Sequence, residues 1–138
     1  MAILKIEKMI EDKQKLVDFW VASSDKDWVA VNHLFESKDY SWSLFIGHLV
    51  IEKLIKAYYI KILGEHPIFI HDLLRLTEKC NLETSKEQAD WLEVITRFNL
   101  KARYDDYKSN FRAICTPEFT REWIEKIEIL RIWLKEKL

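Results

Sequence analysis

The sequence predicts an all-α fold, an up-and-down four-helix bundle with a short additional helix, in one domain over residues 1–138. Three observations lead there. Glycine and proline number two each, too little turn chemistry for a chain of many short strands. Apolar residues recur at helical spacing over long stretches. Six Trp, five Tyr and seven Phe supply large core side chains, and a chain of this length buries about two-thirds of its unfolded surface without help from a metal or a disulfide.

The central element is expected over Leu44 to Ile62. On a helix, Leu44, His48, Ile51, Ile55, Tyr58, Tyr59 and Ile62 gather on one side while Ile46, Val50, Leu54 and Ala57 cover the other. A helix apolar nearly all round is enclosed by other helices or used at a subunit contact. Before it, one stripe runs from Ile3 through Ile6, Ile10, Val17, Val21, Ser24, Trp28 and Val31 to Phe35, predicting one long helix or two stacked end to end. The run Ala22-Ser23-Ser24-Asp25 is the expected break, because Ser and Asp compete for backbone hydrogen bonds and cap new helices. Ser37 to Asp39 reads as a turn, with Asp39 or Ser41 as the cap of the central helix.

Gly64 suits a left-handed C-cap and Pro67 blocks continuation. Ile68 to Leu76 then reads as a tight connection into a short helix. A fourth helix from about Lys86 carries Leu92, Ile95, Asn99 and Ala102 on one face, flanked by Trp91 and Phe98. Tyr104 to Asn110 shows no clear period and is expected to be a turn. Thr116-Pro117-Glu118 is a helix start, with a cap, a proline at the first helical position and an acid in the first turn. The last helix is expected to bury Phe119, Trp123, Ile127, Leu130, Trp133 and Leu134. The apolar surplus on the first and central helices predicts a homodimer.

The 22 basic and 23 acidic side chains nearly cancel, so no overall field draws the chain to nucleic acid, and any RNA contact must be a local patch. Cys80 and Cys115 lack zinc or disulfide spacing and read as reduced thiols of a cytoplasmic protein. No run of roughly 18 apolar residues is present, so no membrane span is expected. Phosphate loops, dinucleotide fingerprints, metal helices and nucleophile elbows are absent from the sequence, and neither a cofactor nor a metal ligand is expected. His33 and His66 read as surface residues.

Four features carry chemistry, each beside a purely structural reading. His48 lies on an apolar face as a core or interface histidine, and Glu52, one turn on, can orient it, accept its proton or serve as a buried or half-buried partner for Arg103 or His71. At His71-Asp72, Asp72 caps a helix while His71 seals the loop; alternatively His71 shares a cleft with Arg103 and touches a phosphate or base. Asn99 is a polar intruder on the fourth helix. Arg97, Lys101, Arg103 and Lys108, interleaved with Phe98, Tyr104 and Tyr107, could hold a phosphate and stack a base. Asp105 and Asp106 weaken that cluster, which also reads as a solvated face with structural ion pairs.

Together these features resemble the HEPN (higher eukaryotes and prokaryotes nucleotide-binding) domain family. The resemblance rests on Trp20 to Trp28 with Ala22 and Asp27, on Ile51-Glu52-Lys53-Leu54-Ile55-Lys56-Ala57, on Gly64, Pro67, His71-Asp72-Leu73 and Leu76, and on Ala102-Arg103-Tyr104. It covers roughly Val17 to Leu134. It implies an up-and-down bundle, usually a homodimer, linked to RNA cleavage in toxin-antitoxin and defence systems or to small nucleotidyltransferase partners. The ribonuclease branch uses an Arg followed four to six residues later by a His. In this chain the last histidine is His71 and the first arginine is Arg75, so that motif cannot exist. The resemblance therefore implies a non-catalytic module with His71, Asp72, Arg103, Tyr104 and Lys56 as candidate ligand contacts and His48, Glu52 and Asn99 as structural polar residues. Two other readings stay open: a metal-independent ribonuclease or toxin with a rearranged His/Arg site, and a structural adaptor bundle.

Overall fold

A computed structural model describes residues 2–138, and the side chains of residues 105–108 lie outside the described set. Six helices follow one another among the described residues: α1 (Ala2–Glu36), α2 (Tyr40–Leu63), α3 (Leu73–Lys79), α4 (Lys86–Arg103), α5 (Asp105–Ile114) and α6 (Pro117–Lys137). The four long ones form the bundle. α2 is its axis, packed against α1, α4 and α6. Leu44, Val50, Ile51, Leu54 and Ile55 on α2 are all fully buried, which bears out the apolar cylinder read from the sequence.

The expected break at Ala22 to Asp25 does not occur. The three polar side chains there bond to other helices and leave the backbone of α1 helical: Ser24 donates to the Val50 carbonyl at 2.9 Å, Ser23 accepts from Lys53 at 2.8 Å, and Asp25 receives Arg131 and Lys135 at 3.0 and 2.9 Å. Burial opposes the charge on Asp25, but the hydrogen bonds from Lys135 and Arg131 prevail and hold its carboxyl below the ordinary carboxylate value. Ser43 adds a stitch from α2 to the Val31 carbonyl at 2.8 Å. Only the part of the α1 stripe from Val17 onward is buried, and Ile3, Ile6 and Ile10 stand in solvent.

The helix ends follow local chemistry. Gly64 adopts φ 67° and its N–H closes on the Ile60 carbonyl, the left-handed cap expected there. Ser85 and Gln88 form a reciprocal capping box at α4, and Thr116 caps α6 with Pro117 behind it. Asp39 precedes α2 but makes no cap bond; its carboxylate accepts from Ser37 at 2.7 Å. Tyr104 to Asn110 is no open turn, because the chain pauses only at Tyr104 and then forms α5. Phe111 and Cys115, one turn apart and both buried, fix α5 to the core, and Phe111 stacks on Phe98 at 5.5 Å. In the last helix Trp123, Ile127, Leu130 and Leu134 are buried as expected, while Phe119 and Trp133 are half-buried. No helix among the described residues is long and apolar enough to cross a membrane.

Candidate functional site

The polar centre of the molecule forms where the connection from α2 to α3 folds back on α2. Asp72 caps α3 by accepting from the Arg75 N–H at 3.1 Å, and the Leu73 N–H donates to Thr96 of α4 at 3.1 Å. These bonds fix the backbone that follows the cap, and His71, just before it, is set against α2. His71 Nδ1 donates to Glu52 Oε1 at 2.7 Å. Lys56, one turn along α2, donates to Glu52 Oε2 at 3.3 Å and lies over the Trp20 ring of α1 at 5.3 Å from its centroid. Glu52 and Lys56 are both buried, so each charge depends on the other and on His71 for compensation.

His48 stands behind this pair. Its Nε2 is 3.2 Å from the His71 carbonyl and 3.9 Å from Glu52 Oε1, both acceptors, so Nε2 carries the proton. Nδ1 is buried without a hydrogen-bond partner, so this core histidine is only half satisfied. Burial pushes its pKa below the ordinary value, outweighing the attraction of Glu52.

The His71 side chain is 39% exposed, and with Nδ1 held by Glu52 its Nε2 is left open to solvent. Beside it Phe69, 88% exposed, meets the imidazole edge-on with centroids 5.6 Å apart. Sequence reasoning passed over Phe69, whose one signal was an aromatic residue in a loop two positions before a histidine. A buried carboxylate thus orients a surface imidazole next to a bare aromatic ring, an arrangement able to donate to or accept from a ligand oxygen while stacking a planar group. A separate shallow depression of ≈ 520 Å³ lies beside Asp72 and is lined by Leu74, Arg75, Glu78, Lys79 and Glu93, charges of both signs.

The remaining candidates lie apart from this cluster. Arg103 is exposed and donates to Asn99, one turn back on α4, at 3.4 Å, so Glu52 is paired with His71 and Lys56 and not with Arg103. Asn99 is half-buried at the margin of the α4 face, because Phe98 takes the core position. Phe98 stacks on Phe111 and meets Phe119 and Trp123 edge-on, so it is unable to stack a base as expected. Tyr104 and Arg97 are exposed, whereas Asp105, Asp106, Tyr107 and Lys108 have side chains outside the described residues. His33 and His66 are exposed, as expected. No group of three or more His, Cys, Asp or Glu side chains among the described residues has an arrangement fit for a metal ion.

The fold matches the crystal structure of TT1696 from Thermus thermophilus with a TM-score of 0.78, covering 88% of this chain and 98% of that one at 16% identity. No curated protein matches the chain. The HEPN domain model matches residues 17–137, a span that takes in all six helices from mid-α1 onward together with the Glu52–His71 cluster. With nearly the whole bundle inside that match, the chain belongs to the HEPN domain family, whose members are nucleotide-related or RNase-like helical modules.

Proposed function

We propose that this chain is a non-catalytic HEPN module, a cytoplasmic homodimer that binds a nucleotide or an RNA segment at the face formed by His71 and Phe69. The observation that supports the reading most is the 2.7 Å bond from His71 Nδ1 to buried Glu52, which orients a solvent-facing imidazole beside an exposed aromatic ring. His71 contacts a phosphate or ribose oxygen and Phe69 stacks the base. Lys56 acts behind them, holding the second Glu52 oxygen, and Asp72 holds the loop on α3. Arg103 and Tyr104, exposed at the end of α4, add a cation and an aromatic surface to the ligand or to the subunit contact. Calorimetry with mononucleotides and with a single-stranded RNA oligonucleotide tests this. Wild type is expected to bind at least one probe, and His71→Ala or Phe69→Ala to weaken it about tenfold or more, the loss of a stacking or hydrogen-bond contact. Wild type that binds neither probe overturns the reading. The family resemblance supplies a protein ligand for the same face, a small nucleotidyltransferase, and co-purification of the two proteins tests it.

The same bond favours a second reading, a metal-independent ribonuclease. A carboxylate-held imidazole with its other nitrogen open is the arrangement of a general base, here for an RNA 2′-hydroxyl. Arg103 has no bond to His71 within the chain, so it would have to come from the other subunit. Metal-free cleavage of single-stranded RNA, abolished by His71→Ala and by Arg103→Ala, is the expected result on this reading; equal background cleavage by all three proteins ends it. A pure adaptor bundle predicts neither binding nor cleavage.

A further inference from the structure

α2 starts without the device that closes α4 and α6. Ser85 and Thr116 cap those helices with side-chain oxygens, whereas Asp39 gives α2 no cap bond and its carboxylate accepts from the Ser37 hydroxyl at 2.7 Å. The first N–H groups of a helix have no acceptor inside it. Those of Tyr40 and Ser41 have none elsewhere among the described residues. Both residues border a pocket of ≈ 250 Å³, lined by Lys38 to Trp42 on one side and by Arg112 and Cys115 on the other. Ser41 is only 8% exposed, and its hydroxyl has no hydrogen-bond partner among the described residues. That hydroxyl is not sealed from solvent, so its small opening is toward the pocket it lines. A largely buried hydroxyl in this state is completed by a water or a ligand. Arg112 and Lys38 are exposed and make no ion pair among the described residues, unlike Lys53, Lys126 and Arg131. Against these two cations the pocket has one carboxylate, Asp39, and Cys115 is a neutral thiol because burial raises its pKa to about 12. The dipole of α2 adds roughly half a positive charge at the same place.

We propose that this pocket binds the phosphate group of a small phosphate monoester. The Tyr40 and Ser41 N–H groups and the Ser41 hydroxyl donate to its oxygens, and Arg112 and Lys38 balance its charge. Size selects a small ligand, because a volume of ≈ 250 Å³ is below the range of about 300–1,000 Å³ that holds drug-sized molecules. Ser41 lies eleven residues before Glu52 on α2. That is about 16 Å along the helix, so the pocket is separate from the His71 and Phe69 face. The proposal goes beyond the function assigned to that face and does not rest on it.

Titration of the full chain with inorganic phosphate and with methyl phosphate tests the site, followed by backbone amide shifts in proton–nitrogen correlation spectra and set against sodium chloride at matched ionic strength. The expected result is saturable shifts centred on Tyr40 and Ser41 with both probes. Arg112→Gln and Ser41→Ala are each expected to bind about tenfold more weakly or worse, the loss of a hydrogen bond to a charged group. Arg112 is exposed and Ser41→Ala removes one atom, and the same spectra show that both variants are folded. Shifts that do not saturate, or that chloride reproduces, overturn the site, as does wild-type affinity in either variant. Saturation by a single-stranded RNA oligonucleotide but by neither small phosphate also overturns it and assigns the pocket to a nucleic-acid strand. His71→Ala is expected to leave the phosphate shifts unchanged, so failure here and failure of nucleotide binding at His71 are read apart.

Discussion

Glu52 sits on a helix with apolar residues on every side, where an uncompensated carboxylate is strongly unfavourable. It persists because His71 and Lys56 take one oxygen each. Removing the carboxylate leaves Lys56 buried without its partner, so Glu52→Gln is expected to lower the urea unfolding free energy by about 3 kcal/mol, the cost of breaking a buried ion pair. Lys56→Met, which leaves His71 on Glu52 and keeps apolar contact with Trp20, is expected to cost less. His48 predicts a pH dependence. Burial holds its folded pKa below 6.5, so in acid the unfolded chain takes up a proton that the folded ring resists. The unfolded state then binds more protons, and stability falls as pH drops below the ordinary histidine value toward the lowered folded one. Above that value the group makes no difference. Urea midpoints at neutral pH and about one unit below the ordinary value should diverge for wild type and converge for His48→Gln, which cannot titrate.

Between elements, α2 meets α6 closely at Gly47. A Cβ added there would lie 2.7 Å from Cδ1 of the fully buried Ile127, so Gly47→Ala must push that side chain from its place. The expected cost is about 1–3 kcal/mol in chemical denaturation. Ile127→Val removes the opposing methyl, and the double variant should be more stable than the sum of the two single changes allows. Gly64→Ala is a different case: nothing crowds its Cβ, but φ is +67°, and the substitution should cost about 1 kcal/mol through backbone strain alone. These element boundaries show what a sequence discloses. Thr116-Pro117 and Gly64 act on backbone groups within four residues, so their roles can be read locally. Ser23, Ser24 and Asp25 look like a cap by the same local rule, yet their partners are Lys53, Val50, Arg131 and Lys135, tens of residues away. The candidate site divides likewise. That Glu52 needs a partner in Arg103 or His71 followed from its place on an apolar helix, but that His71 takes it depends on how the α2–α3 connection folds back, and the exposure of Phe69 depends on how the same loop leaves Pro67 and has no periodic signature.

Across the whole molecule, all six helices contribute to one hydrophobic core, and Cys80 at the end of α3 and Cys115 after α5 are both buried within it. Burial raises both thiol pKa values, that of Cys115 to about 12, so the folded protein presents no thiolate at neutral pH. Alkylation must therefore wait for an opening of the core, and because the two cysteines belong to the same cluster, one cooperative opening should expose both. Mass-resolved labelling in increasing urea is expected to give Cys80 and Cys115 equal opening free energies, matching the global value. A much smaller value at Cys115 would show α5 opening apart from the bundle. The alkaline limb follows from the same burial. Above about pH 9 the unfolded chain loses thiol protons that the folded chain retains, so the folded state binds more protons and stability falls as pH rises toward the folded value. Cys115→Ala removes that titration but leaves a cavity, so it should unfold at lower urea near neutrality and lose less of its stability than wild type between neutral and alkaline pH.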